Sequence, residues 1–135
     1  MRLLWIAITI FAVMLLGTAI SYAQGWEYFR LHVHPTGQCG GTREVGASFY
    51  NTGKWTASGE RFDHSALTAA SRTPGGWAIG EHVTVRNPRT GYAITVRIND
   101  HGPFGAAWSA GVRLDLSPAA FRALGMSQST WVCAQ

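Results

Sequence analysis

The sequence predicts a small, mainly β barrel, and three observations carry that expectation. Ala93 to Asp100 alternates strictly, with Ile94, Val96 and Ile98 on one face and Thr95, Arg97 and Asn99 on the other. That is the period-2 pattern of a half-buried strand. Glycine supplies 16 of 135 residues and breaks the chain into short segments. Ser117 to Gly125 is the one stretch with a full helix signature. Many short strands, much glycine and a single such helix point to a closed sheet.

Taken from the N-terminus, an uncharged run from Leu3 to Ile20 follows Arg2, and Ser21-Tyr22-Ala23 then offers small residues at the positions a signal peptidase reads. Residues 1–23 are therefore expected to be a signal peptide cut after Ala23, leaving no stable membrane anchor, although the run is long enough to anchor uncut. Residues 24–44 begin with Trp26, Tyr28 and Phe29, become Gly- and Thr-rich and show no period, so an irregular N-terminal arm is expected. The barrel domain is assigned to residues 45–135. Val45 to Tyr50 fits a first strand, Asn51 to Lys54 a turn, and Trp55 to Gly59 leads into Glu60. Leu67 to Ala70 is a short apolar element before the Thr73-Pro74-Gly75-Gly76 loop. His82 to Arg86 and Tyr92 to Asn99 read as a hairpin, because Asn87-Pro88-Arg89-Thr90-Gly91 holds the residues that make such turns. In the helix, Ser117 suits the N-cap and Pro118 the first turn. Ala120, Phe121 and Leu124 form its apolar face, and Gly125 stands where a left-handed terminator belongs.

Composition narrows the function. Charged residues make up 13%, and the net charge of +4 falls to +3 without Arg2. The arginines are scattered, which argues against nucleic acid and is compatible with an anionic polymer such as a bacterial wall. Cys39 and Cys133 are the two cysteines, and in an oxidising compartment an even count reads as a disulfide that ties both ends of the domain together. His32 and His34 would share one side of a strand, but no spaced third and fourth ligands follow, so no metal site is expected and both read as polar surface.

The strand ending at Asp100 runs into Gly102-Pro103. Glycine allows positive φ and proline lacks a ladder donor, so the strand is expected to stop there with Asp100 at a sheet edge. A carboxylate so placed either caps the turn through its own backbone or does chemistry.

Five motifs occur in order: Ala47-Ser48-Phe49-Tyr50, Thr56-Ala57-Ser58-Gly59-Glu60, Leu67-Thr68-Ala69-Ala70, Asn99-Asp100-His101-Gly102-Pro103-Phe104 and Leu114-Asp115-Leu116-Ser117. Together they resemble the rare lipoprotein A family of bacterial septal lytic transglycosylases over Ala47 to about Met126, and Asp115-Leu116-Ser117 is similar to a motif of the more distant expansins. The resemblance implies a six-stranded double-psi β-barrel with one or two short helices. It also implies cleavage of peptidoglycan glycan strands between N-acetylmuramic acid and N-acetylglucosamine without water, leaving a 1,6-anhydro end, with no cofactor, in the periplasm or cell envelope. One carboxylate serves both steps of such a reaction, first protonating the glycosidic oxygen and then taking the proton of the muramyl C6 hydroxyl as that oxygen closes on C1. By the resemblance, Asp100 and Glu60 are the catalytic pair. Asp100 is read as acid/base and Glu60 as the group that tunes it or steadies oxocarbenium charge, with the reverse assignment also open. Ser48, Tyr50, Asp115 and His101 are expected to contact substrate. For Asp115 an equal alternative is support of the helix that follows, as an acid near a helix start gives. Trp55, Trp77 and Trp108 offer faces for sugar stacking, though packing is the commoner use of such rings.

The chain departs from the family pattern at three places. It has Ser71 where a His is usual after Thr-Ala-Ala, His101 where an Arg usually follows the Asp, and Val112 where an Arg usually precedes the second Asp, with Arg113 next to it. A C-terminal peptidoglycan-binding repeat has no counterpart, so no septal address is expected. A non-catalytic wall-binding or wall-loosening module stays open beside the enzyme.

Overall fold

Period-2 alternation and frequent turns produce six strands that close on themselves. The structure, a computed structural model, describes residues 26–135 apart from residues 31 and 52. The expected leader and its cleavage point lie outside the described residues. The strands are β1 (Arg43–Phe49), β2 (Thr68–Ser71), β3 (His82–Arg86), β4 (Ala93–His101), β5 (Val112–Leu116) and β6 (Thr130–Ala134), joined as a closed barrel in the order β1-β5-β2-β4-β3-β6. The β1–β5 and β2–β4 pairs are parallel and the others antiparallel. The closed barrel agrees with the sequence reading, and its six strands with what the family resemblance implies.

Alternation fills the interior. Val83, Val85, Val96, Ile98, Leu114, Leu116 and Val132 are fully buried in one cluster, each stabilising the fold by about 1.5–3 kcal/mol relative to exposure. Two register shifts interrupt the ladders, at Gly46/Ala47 between β1 and β5 and at Ala69/Ala70 between β2 and β4. At the first, a Cβ on Gly46 would lie 3.0 Å from the Val112 Cα, so glycine is what lets the two backbones approach. At the second, Ala69 pairs with Ile98 and Ala70 with Asp100, leaving Asn99 unpaired in the ladder.

Among the described residues, three short helices lie outside the barrel: α1 over residues 26–30, α2 (Gly105–Ser109) and α3 (Pro118–Ala123). In α3, Ser117 Oγ accepts from Ala120 N at 3.2 Å and donates to Ala66 O at 2.6 Å, which ties the helix start to the entry of β2. The start of the arm is helical rather than irregular. Its Phe29 is buried and stacks on Trp131 at 6.0 Å, while Trp131 Nε1 donates to Val33 O at 2.7 Å. His32 lies at this helix's end, not on a strand, stacked on Tyr28 at 4.2 Å and exposed with His34. The first strand begins at Arg43, two residues ahead of the expected Val45. Cys39 and Cys133 form the expected disulfide.

Candidate active site

Strand order brings distant motifs into one row. Ser48 pairs with Asp115, Asp115 with Ala70 and Ala70 with Asp100, so these four residues cross β1, β5, β2 and β4 side by side. Adjacent strands stand about 4.8 Å apart, which puts the two Asp backbones roughly 10 Å apart with only an alanine between them. Asp100 does not sit at a sheet edge, because the closed barrel has none there. It is the penultimate residue of β4, half-buried, at the end where Gly102 turns the chain away with φ 144°.

Each carboxylate in the row has its own partners. Asp100 Oδ1 accepts from the backbone N–H groups of Ala57 and His101, both at 2.9 Å, and Oδ2 accepts from the Tyr50 hydroxyl at 3.1 Å. Asp115 accepts a hydrogen bond from the Ser48 hydroxyl. Burial, with a smaller contribution from the charge of Asp100, holds Asp115 above the usual carboxylate range despite that bond. Burial, then Asp100 and Asp115, push the Tyr50 phenol far above its ordinary value, so it stays a neutral donor.

Glu60 stands on the tight turn that packs against the end of β4. Thr56 N donates to Glu60 O at 2.9 Å and Ser58 N to Asn99 O at 3.0 Å, so the same turn that offers Ala57 N–H to Asp100 also positions Glu60. The Glu60 carboxylate is gripped at both oxygens by Arg97, at 2.7 and 2.9 Å, and accepts from Ser58 Oγ at 2.9 Å. The Arg97 bond first, and then Ser58, lower its pKa to about 2. Such a group is ionised throughout the physiological range. It is suited to placing negative charge and unsuited to donating a proton, which counts against the reversed assignment. Arg97 is legible in the sequence only as a polar residue on the outer face of β4. Its pairing with a residue 37 positions away is a product of the fold.

The aromatic candidates separate. Trp55 is exposed, with the Arg61 guanidinium 5.4 Å from its ring centre. Trp77 packs against the core and carries Arg43 over its face, and Trp108 is covered by Arg72 and Arg113. Among the described residues, no three His, Cys, Asp or Glu side chains gather as a metal-binding group. No helix among them is long and apolar enough to cross a membrane.

Residues 42–133 match the family described as lytic transglycolase. The chain belongs to that family. Among its relatives, the probable endolytic peptidoglycan transglycosylase RlpA of Synechocystis is 46% identical over 86 residues, covering 62% of this chain and 25% of that protein. The endolytic peptidoglycan transglycosylase RlpA of Neisseria meningitidis is 39% identical over 89 residues, covering 65% and 33%. That of Yersinia pestis is 44% identical over 80 residues, covering 59% and 20%. The chain thus spans a third or less of the length of these curated relatives. In structure it is similar to the Streptomyces papain inhibitor, with a TM-score of 0.51 at 20% identity over 73% of this chain and 96% of that one. This likeness shows the barrel fold.

Ser71, Val112 and His101, the positions expected to depart from the family pattern, have distinct structural settings. Ser71 is fully buried; its hydroxyl donates to Arg113 O at 2.7 Å and accepts from Trp77 N at 3.1 Å, which moors the loop after β2 to β5. Val112 is buried with Phe29, Ala107 and Ala110, while Arg113 carries the cation on the outer face of the strand. His101 is exposed beside Asp100 and is the backbone partner of Ser71 across β2 and β4.

Proposed function

We propose that this family member cleaves peptidoglycan glycan strands in the cell envelope, breaking the bond between N-acetylmuramic acid and N-acetylglucosamine and leaving a 1,6-anhydro end. The observation that carries this reading is the row Ser48, Asp115, Ala70 and Asp100 with Tyr50 and the Glu60 turn beside it. The names borne by the relatives agree with it. Asp100 is the acid/base. It donates its proton to the glycosidic oxygen as the C1–O bond breaks, and its carboxylate then takes the proton of the C6 hydroxyl while that oxygen bonds to C1. The Tyr50 hydroxyl and the Ala57 and His101 N–H groups hold the carboxylate oriented between the two transfers. Ionised Glu60, fixed by Arg97, sets negative charge near the developing oxocarbenium. Asp115, Ser48 and His101 contact the sugar.

The test is to incubate the purified, oxidised protein with denuded peptidoglycan and assay the products by mass for anhydromuramyl ends. Wild type is expected to release them, and Asp100→Asn to lose about 10²–10⁴-fold in rate with an unchanged melting curve. Binding without anhydro ends would replace the enzyme with a wall-binding module. Full activity in Asp100→Asn would remove Asp100 as the acid.

A further inference from the structure

Beside the carboxylate row lies a cluster that the proposed reaction does not use. Arg113 stands two residues before Asp115 on the same half-buried face of β5, its guanidinium 3.9 Å from the Trp108 ring centre. Arg72 follows Ser71, the residue that pairs with His101, and lies 4.2 Å from the same Trp108 ring and 5.4 Å from Phe104. Arg43 sits 4.8 Å over Trp77 and donates through Nη2 to Gly75 O at 2.6 Å. Arg113 Nη1 donates to Trp108 O and Val112 O at 2.8 and 2.9 Å.

Gathering three cations is unfavourable unless something offsets it. Burial, and then the charges of Arg43 and Arg72, pull Arg113 below its ordinary value. The ring faces and backbone carbonyls offset part of this cost. No carboxylate does: among the described residues the ion pairs are Arg30–Glu27 and Arg97–Glu60. Arg72 Nε is buried without a hydrogen-bond partner. The cluster is therefore a positive focus laid against the Trp77, Trp108 and Phe104 rings without a carboxylate of its own. Guanidinium forks in such a setting bind carboxylates in two-point fashion.

We propose that Arg43, Arg72 and Arg113 form a carboxylate-binding subsite that takes the acidic substituent on O3 of the muramyl residue. That substituent is the lactyl carboxylate of a bare strand or a carboxylate of an attached stem peptide. Its place next to Asp115 and His101 puts the anchored substituent beside the sugar to be cut. This inference rests on the glycan reading above, but binding tests it separately from cleavage.

The experiment measures binding of the purified protein to three preparations of the same glycan: peptide-bearing, peptide-free, and peptide-free with its carboxyls converted to amides. Affinity for the amidated strands is expected to fall at least tenfold, and the salt dependence seen with the acidic strands to flatten. Arg72→Gln is expected to lose about tenfold toward acidic strands while keeping its affinity for amidated strands within twofold, a pattern that a misfolded variant would not give. Arg72→Lys should recover part of the loss. Tighter binding of peptide-free strands assigns the lactyl carboxylate, and tighter binding of peptide-bearing strands assigns the stem peptide. Equal affinity for acidic and amidated strands, or equal loss toward both in Arg72→Gln, overturns the subsite, as does failure to bind any of the three. Carboxylate-dependent binding without anhydro ends keeps the subsite and removes the cleavage reading; anhydro ends with equal affinity do the reverse.

Discussion

Reduction of the Cys39–Cys133 bridge acts chiefly on the unfolded chain, and its magnitude follows from the loop it closes. Cys133 lies in β6, paired with Glu44 of β1 and Arg86 of β3, so its backbone stays in place when the sulfurs part. Cys39 is buried four residues before β1 begins. The native contacts around both therefore persist, and what changes is the freedom of the denatured state. The bridge spans 94 residues, for which the chain-entropy relation yields about 16 cal/mol/K, or about 4.7 kcal/mol at 25 °C. Residual compactness of the denatured chain trims this, so a loss of about 3–4.7 kcal/mol is expected. With an unfolding entropy of about 2 cal/mol/K per residue over the folded part, that is a fall in Tm of roughly 13–20 °C. The assay is urea unfolding followed by far-UV circular dichroism and tryptophan fluorescence, with and without a phosphine reductant. The reduced protein should also show a steeper denaturant slope, because its unfolded chain exposes more surface. A loss under about 1 kcal/mol with an unchanged slope would refute the reasoning and mean that the unfolded ends already stay together without the bond.

Three further outcomes are expected. Glu60 is held at about 2 against an ordinary 4.5, so the stabilisation from its Arg97 pair is present above about pH 4.5 and is lost as pH falls through about 2. Both side chains are about 40% exposed, so the amplitude is about 1 kcal/mol or less. Urea midpoints of wild type and Glu60→Gln should converge from pH 5 to pH 2, and parallel curves would disprove the link. Asp115 is raised by burial, so its ionisation costs stability as pH rises through its folded value. Asp115→Asn, which keeps an acceptor for Ser48, should therefore be more stable than wild type at pH 7 and no more stable well below the carboxylate range, while cutting glycan more slowly. Gly102 has φ 144°, and a Cβ added there would meet nothing closer than the Ala70 Cβ and a Phe104 ring carbon, both at 3.7 Å. Gly102→Ala should therefore cost about 1–3 kcal/mol from backbone strain alone, and a melting curve unchanged within about 0.5 kcal/mol would contradict this.

Local features are legible in the sequence because their causes are local. The β3–β4 hairpin follows from alternation on both sides of Asn87 to Gly91, and α3 from Ser117, Pro118 and Gly125, each acting within a few residues. Helix α2 leaves no such signal: its five residues have no capping side chain and no acidic first turn. The helix at residues 26–30 and strand β6 escape a sequence reading for a related reason. Phe29 is held by Trp131, and β6 by β1 and β3, contacts between segments far apart in the chain.

The candidate site divides along the same line. The sequence by itself, through its motifs and the family resemblance they carry, singled out Asp100, Glu60 and Asp115 as the carboxylates to weigh and Ser48 and Tyr50 as their companions, and its even cysteine count paired Cys39 with Cys133. Which carboxylate is bound to what was decided only by the closed barrel. Its parallel crossovers set β1, β5, β2 and β4 side by side, so Ser48 meets Asp115 and Tyr50 meets Asp100 across 67 and 50 residues. Burial then raises Asp115, while Arg97 reaches across from β4 and lowers Glu60. Periodicity records which face a side chain takes, but the charge it meets there depends on which strand lies alongside, and that neighbour is chosen by the topology of the whole chain.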